Sequence, residues 1–239
     1  MFLGVDGCKG GWIAASWNAS RRPPRLSLHA TFADLWHVHA RAACILVDIP
    51  IGLSDAPRAC DLAARAMLGR RGVSVFPAPC RAAVDAPDYP EANRRSRAAC
   101  GRGLTKQTWM IVPKIREVDR LLRTDARARA IVRECHPEVC FAAIAGEGLS
   151  EGKRTEPGFA RRLALLEGLL PGVHACIEDA LAQRLAARDD IVDALVAAWC
   201  AAASASDRRT LPADPPRDEA GLPMEMVYRV PPGVPNAAR

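Results

Sequence analysis

The sequence predicts an α/β protein built on a mixed five-stranded sheet flanked by helices, with a helical insertion between the fourth and fifth strands. Two short apolar runs, residues 2–5 and 44–47, are each followed by an aspartate and indicate strands that are buried on both faces. A glycine-rich stretch, residues 7–11, follows the first run and is typical of a hairpin turn. The third observation is the helical character of the Arg-rich residues 55–129, which separate the fourth predicted strand from the fifth.

The residue patterns predict the first half of the sheet in order. Strands are expected at residues 12–17 and 25–32, and the second of these alternates polar and apolar residues as a half-buried strand does. A short helix over residues 32–43 then leads to the buried strand at 44–47. The third strand and this helix supply enough chain for the crossover that joins parallel strands, so we expect the first strand to pair with the fourth.

Helices and one further sheet strand are predicted for the rest of the chain. Within the insertion, helices are expected at 61–68, 90–99 and 114–122, the last with Pro113 in its first position. Beyond it, the predicted elements are a strand at 130–135, helices at 136–141, 156–169, 177–187 and 189–199, and a strand-like run at 222–230. No change of composition marks a linker, so residues 1–230 are predicted to form one domain, followed by a flexible tail at 231–239.

The composition is that of an ordinary globular protein. The 239 residues are 49% hydrophobic and 25% charged, and a net charge of +6 permits an anionic partner without requiring one. Nine cysteines without regular spacing, together with an N-terminus that lacks the pattern of a signal peptide, predict free thiols and a cytoplasmic location. The longest apolar run, residues 194–203, is too short to cross a bilayer, so no membrane association is expected.

Four aspartates occupy positions that are expected to be buried. A buried carboxylate is costly unless a metal ion or another cation is its partner. Asp6 and Asp48 follow the two apolar strands, while Asp190 and Asp193 are three residues apart and share one face of the last helix. Turn or helix capping explains Asp6 and Asp190, but Asp193 lies in the second turn of a largely apolar helix. Carboxylate oxygens are the ligands that Mg²⁺ and Mn²⁺ prefer, and two such ions can activate a water and stabilise the leaving oxygen of a phosphodiester.

The chain also resembles a known family from Leu3 to about Tyr228. The stretches that carry the resemblance are GVDGCKGGW (4–12), VDIPIGL (47–53), VFPAP (75–79), KIREVD (114–119), ECHPEVCF (134–141) and DDIVDA (189–194). They are similar to the domain of unknown function 429 family, predicted nucleases of the ribonuclease-H-like superfamily. The resemblance implies a ribonuclease-H-like sheet and a metal-dependent nuclease that cleaves DNA or RNA with two Mg²⁺ or Mn²⁺ ions.

The same resemblance implies roles for further residues. Asp6, Asp48, Asp190 and Asp193 are expected to be the catalytic metal ligands. Glu134 is expected near the site as a further ligand or as a base. The residues expected to contact substrate are Lys9, Lys114, Arg116, His136 and Glu138. For His136 and Glu138, a purely structural role in shaping the turn is the open alternative.

The Arg-rich composition of the insertion gives a separate expectation. A phosphate-contacting surface is expected there at Arg94, Arg95, Arg97, Arg102 and Lys106.

Two other functional classes are compatible with parts of the sequence. A phosphotransferase with an actin-like fold would also open with a strand–Asp–Gly hairpin that binds ATP phosphates. Such a protein uses a second hairpin of this kind, and the sequence contains no second copy. A non-catalytic scaffold that binds nucleic acid would keep the fold, but it predicts the loss of at least one acid, and all four are present.

Overall fold

The computed structural model describes residues 1–20 and 22–231, which contain both strands and helices. The strands are β1 (Phe2–Cys8), β2 (Gly11–Trp17), β3 (Arg25–His29), β4 (Cys44–Val47), β5 (Val132–Glu134), β6 (Arg208–Leu211) and β7 (Met226–Arg229). The helices are α1 (Phe32–His39), α2 (Ala59–Leu68), α3 (Arg81–Val84), α4 (Tyr89–Cys100), α5 (Lys106–Thr124), α6 (Ala126–Ile131), α7 (Pro137–Ala145), α8 (Glu156–Glu167), α9 (Val173–Ala182) and α10 (Arg188–Ala201). A 3₁₀ helix (Gly69–Ser74) follows α2, and helices α2 to α6 all lie between β4 and β5 in the chain.

Strands β1 to β5 form a mixed sheet in the order β3-β2-β1-β4-β5. Strand β1 pairs antiparallel with β2 and parallel with β4, which confirms the predicted hairpin and the predicted parallel pairing. The register places Val5 opposite Val47, and the backbone N–H of Asp48 donates to the Val5 carbonyl oxygen at 2.9 Å. Asp6 and Asp48, the next residues along the two strands, therefore lie side by side where β4 ends.

Alternation along the strands directs both acids to the same face of the sheet. Leu3 and Val5 on β1 pack into a core shared with residues of α1 and α5. Leu46 on β4 belongs to the core on the opposite face, together with residues of α7 and α10. Asp6 and Asp48 follow the alternation of this second face, so they point toward α10.

Helix α10 packs directly on β1 because Gly4 has no side chain. A Cβ atom at Gly4 would lie only 2.0 Å from the backbone nitrogen of Ala198 and 2.1 Å from the carbonyl oxygen of Ala194. The helix is buried along most of its length, including Asp193, which is 1% exposed. This close approach brings Asp193 to the face of the sheet that carries the other two acids.

The prediction that Pro113 begins a helix is wrong. The helix begins at Lys106, so Pro113 lies inside it and not at its first position. Thr105 caps the helix, since its hydroxyl oxygen accepts from the Thr108 backbone N–H at 3.1 Å. Ile115 and Val118 are fully buried on one side of α5. Packing of that apolar side stabilises the helix and outweighs the hydrogen bond that proline cannot donate.

Smaller differences occur around the predicted final strands. The strand predicted at 130–135 is shorter in the structure, because its first residues complete α6, whose N-terminus is capped by Asp125. The strand-like run predicted at 222–230 contains β7, which pairs with the unpredicted β6 in a separate two-stranded sheet. The predicted flexible tail falls, from residue 232 onward, outside the described residues.

Two broader expectations concern the thiols and the membrane. All nine cysteines are free thiols. Among residues 1–20 and 22–231, no helix combines the length and the apolar character that a bilayer crossing requires. The cytoplasmic location stays a prediction.

Candidate metal centre

Three of the four predicted aspartates meet at the edge of the sheet. Asp6 on β1, Asp48 after β4 and Asp193 on α10 each offer a carboxylate oxygen, and these atoms lie within 4.8 Å of one another. Asp6 and Asp193 are buried, while Asp48 is half-buried. We call these three residues the acid cluster. The structure thus unites acids that are separated by more than 40 residues at each step of the chain.

Burial makes the negative charge of the acid cluster costly. Burial, followed by the charges of Asp48 and Asp193, holds the pKa of Asp6 well above its ordinary value. Burial likewise raises the pKa of Asp48 and of Asp193 to about 6. Closely spaced carboxylates with raised pKa values are stabilised when a cation binds between them. Three oxygen donors suit a hard divalent ion such as Mg²⁺ or Mn²⁺, so the donor set fits such an ion.

Lys153 is a further member of the centre, which no sequence pattern indicated. Its Nζ atom lies 2.5 Å from Asp193 Oδ2, and its side chain is 32% exposed. Burial lowers the pKa of Lys153, but the carboxylates of Asp193, Asp6 and Asp48 outweigh this effect and raise the pKa above its ordinary value. The only available signal was rarity, since Lys153 is one of four lysines among 33 basic residues.

Asp190 lies beside the acid cluster without belonging to it. The residue is half-buried on the first turn of α10. An open cavity lies above the acid cluster, and Asp190 lines it together with Asp6, Asp48 and Asp193. Burial and the charge of Asp189 raise the pKa of Asp190. Asp189 is itself held by Arg154, whose Nε lies 2.9 Å from Asp189 Oδ2. The role of Asp190 as a metal ligand stays a prediction.

Glu134 has an arginine partner in the structure. The Arg58 guanidinium donates to both carboxylate oxygens of Glu134, at 2.9 and 2.7 Å, and the Ile51 N–H donates to one of them at 2.7 Å. Arg58, which is 3% exposed, also donates to Asp61. Glu134 borders the cavity, but these bonds use its oxygens to hold the loop after β4 beside the acid cluster.

The turn before α7 places His136 and Glu138 on the wall of the same cavity. Both carboxylate oxygens of Glu138 accept from the Arg162 Nη2 atom at 2.8 Å. Burial lowers the pKa of His136 and thereby favours the neutral form of its ring. Among the described residues, the Nδ1 atom of His136 is buried without a hydrogen-bond partner. Either residue is therefore in position to shape the site, and direct substrate contact stays a prediction.

The predicted basic contacts lie in three different places. Lys114 lines the cavity, donates to the Gly11 carbonyl oxygen at 2.5 Å and lies over the Trp12 ring at 4.5 Å. Arg116 donates to carbonyl oxygens of the α3–α4 region and borders a separate cavity of about 220 Å³. Lys9 is exposed in the turn between β1 and β2, away from the cavity lining. Of the three, only Lys114 is near the acid cluster.

The cavity above the acids has a polar floor and an apolar wall. Its volume is about 590 Å³, within the size range of small-molecule sites. Ile49, Val75, Phe76 and Met110 contribute apolar surface. Phe76 is 48% exposed and Met110 is 78% exposed, so both are accessible to a ligand. The cavity therefore presents carboxylates at its floor and accessible apolar surface on its wall.

The raised pKa values predict a pH dependence of stability in the absence of metal. The folded-state pKa of Asp48 exceeds its unfolded value, so the folded protein binds more protons between about pH 4 and pH 6. Protonation of Asp48 therefore stabilises the folded protein at low pH, and this stabilisation is lost as the pH rises through that window. In chelator, Asp48→Asn should lose less stability than the parent between pH 4.5 and 7.5, by on the order of 1 kcal/mol in urea titrations. Equal losses in the two proteins would contradict the assigned shift.

The comparisons with known proteins identify a family and no activity. The model of a family described as "Protein of unknown function (DUF429)" matches residues 4–217, so the chain belongs to that family. Searches of curated proteins and of solved structures gave no significant match.

Proposed function

We propose that this member of the DUF429 family is a metal-dependent nuclease with a ribonuclease-H-like fold. The observation that carries the proposal is the acid cluster, in which Asp6, Asp48 and Asp193 converge at the floor of an open cavity. The mixed sheet supports it, because the acids come from the first strand, the end of the fourth strand and the last long helix. This is the arrangement that the family resemblance leads us to expect.

Each residue of the centre has a task in this proposal. A bound divalent ion would supply Lewis-acid activation of water and charge stabilisation at a phosphodiester. Asp6 lies on β1 and Asp48 directly follows the paired strand β4, so the strand pairing sets their separation before any ligand arrives. Asp193 approaches from α10, and its own position depends on the contact of that helix with Gly4. Lys153 and Lys114 place positive charge beside the path of a phosphate group.

The shape of the cavity favours a nucleic-acid strand that enters with its bases accessible. Phe76 and Met110 offer exposed apolar surface on the wall, and aromatic side chains are common stacking partners of unpaired bases. The basic surface expected on α4 is partly neutralised, since Arg94 and Arg95 both pair with Glu91. Phosphate contacts are therefore expected mainly at the cations of the cavity.

A cleavage assay tests the proposed activity. End-labelled single- and double-stranded DNA and RNA are incubated with the protein and Mg²⁺, Mn²⁺ or chelator. We expect metal-dependent cleavage of at least one substrate, its loss in chelator and its loss in Asp48→Asn. The matched control is Asp214→Asn, because Asp214 is exposed and does not line the cavity. Binding of nucleic acid without cleavage of any substrate would instead favour the non-catalytic scaffold.

A further inference from the structure

The position of Lys153 limits the number of metal ions that the acid cluster can hold. This inference rests on the proposed metal-dependent function. The Nζ atom of Lys153 lies 2.5 Å from Asp193 Oδ2, so one of the two carboxylate oxygens of Asp193 already has a cationic partner. A metal ion that used this oxygen would compete with an ammonium group. Metal binding and the position of Lys153 are therefore linked.

Two features show that this position is built into the fold. Arg162, only 1% exposed, donates to the carbonyl oxygens of Glu151 at 3.1 Å and Gly158 at 2.8 Å, while it also pairs with Glu138. The arginine thereby connects the wall of the cavity to the segment that carries Lys153. A Lys side chain that extended from a free surface loop would have no such support.

The second feature is the close packing at the start of α8. Thr155 caps the helix, and its hydroxyl also donates to the Gly152 carbonyl oxygen at 2.9 Å. A Cβ atom at Gly158 would lie 2.0 Å from that same oxygen, so the loop and the helix are in direct backbone contact. Arg154, the next residue, also pairs with Asp189, so contacts flank Lys153 on both sides.

Charge balance within the acid cluster favours one ion over two. The acid cluster carries three negative charges when it is ionised, and one divalent ion together with the Lys153 ammonium carries three positive charges. A second divalent ion would leave the centre with a positive excess of two, a costly state for a buried site. Asp190 would reduce this excess by one, but its carboxylate lies outside the group of oxygens within 4.8 Å.

We propose that the acid cluster binds a single divalent ion and that Lys153 supplies the second positive charge of the site. Asp6, Asp48 and the other oxygen of Asp193 then remain available to the ion, while Lys153 holds Asp193 Oδ2 and places its ammonium beside the substrate phosphate. The sequence led us to expect two ions. The proposal replaces the second ion with the ammonium of Lys153, a residue that no sequence pattern indicated. Lys153 is accordingly a charge-supplying residue of the site and not a surface lysine.

Metal stoichiometry tests the proposal directly. Metal-free protein is titrated with Mn²⁺ by calorimetry, and free Mn²⁺ is followed in parallel by electron paramagnetic resonance. We expect one equivalent in the parent. Lys153→Met keeps the length of the side chain and removes its charge, so it should bind a second equivalent or bind the first about tenfold more tightly or better. Lys153→Gln is a second charge-removing variant with the same expectation, and circular dichroism verifies that each variant is folded.

Two controls separate charge from other causes. Lys153→Arg keeps the positive charge and should retain one equivalent at nearly the parent affinity. Lys114→Met removes a lysine from the same cavity whose ammonium contacts the Gly11 carbonyl oxygen, and it should leave the stoichiometry unchanged. Two equivalents in the parent, or unchanged binding in both charge-removing variants, would overturn the role of Lys153 and leave the proposed nuclease standing. Failure of the parent to bind any Mn²⁺ would overturn the metal-dependent function itself.

Discussion

Asp6→Asn is expected to abolish metal-dependent cleavage and most of the stabilisation that Mn²⁺ gives to the folded protein. Asp6 is 7% exposed and is one of three carboxylates that could hold the ion. Loss of one of three charged ligands should lower the cleavage rate by at least about a hundredfold. At a concentration a hundred times the dissociation constant, a bound ion stabilises the folded parent by about 2.7 kcal/mol, and the variant should gain much less.

Without metal, the same substitution should leave the protein as stable as the parent, or more stable by about 1 kcal/mol. Burial and the neighbouring acids Asp48 and Asp193 disfavour the charge on Asp6, so its removal relieves repulsion. Asparagine also keeps the oxygen that accepts from the Gly7 backbone N–H at 2.7 Å. Melting curves with and without Mn²⁺, measured beside the cleavage assay, give both quantities from one preparation.

A different role for Asp6 would give a different pattern. If Asp6 only capped the turn after β1, Asp6→Asn would lose stability without metal and would respond to Mn²⁺ as the parent does. Asp214→Asn, the exposed control, should match the parent in every measurement. Equal Mn²⁺-dependent shifts in the parent and in Asp6→Asn would remove Asp6 from the site.

The approach of Asp6 to Asp48 could be predicted because it depends on local patterns and on chain length. Short apolar runs mark the two buried strands, and the segment between them is long enough for a parallel crossover. Parallel pairing then sets the acids side by side, which the observed register of β1 and β4 confirms. The role of Asp193 could be predicted from a local pattern too, because this acid interrupts the apolar residues of a long helix.

The partners of the acids could not be predicted, because they come from segments without periodicity. Lys153 lies in a loop, and its position depends on Arg162, which connects that loop to Glu138 on another element. Glu134 was expected near the site, but its partner Arg58 is 76 residues away in the sequence. Contacts of this kind arise from tertiary packing and leave no spacing that a single sequence reveals.

Gly4→Ala is expected to lower the free energy of unfolding by about 3 kcal/mol or more. The added methyl group would lie 2.0 Å from the Ala198 backbone nitrogen and 2.5 Å from the Ala197 carbonyl carbon, so α10 must move away from β1. Backbone atoms cannot rotate aside as the end of a side chain can, and a displaced helix loses buried contacts along its length. Urea titration of the parent and the variant measures the difference.

Gly168→Ala provides the matched control for this substitution. Gly168 is exposed at the end of α8 with a φ of −72°, and a Cβ atom there would meet nothing within 4 Å. Because the backbone is already in a conformation that alanine adopts readily, this change should be neutral or should stabilise the protein by about 0.4–1 kcal/mol. Since α10 also carries Asp193, Gly4→Ala protein that still folds should bind Mn²⁺ more weakly than the parent, whereas Gly168→Ala should not. Parent-like stability of Gly4→Ala would show that the helix does not lie against β1 as described, and the convergence of the three acids would then lose its structural basis.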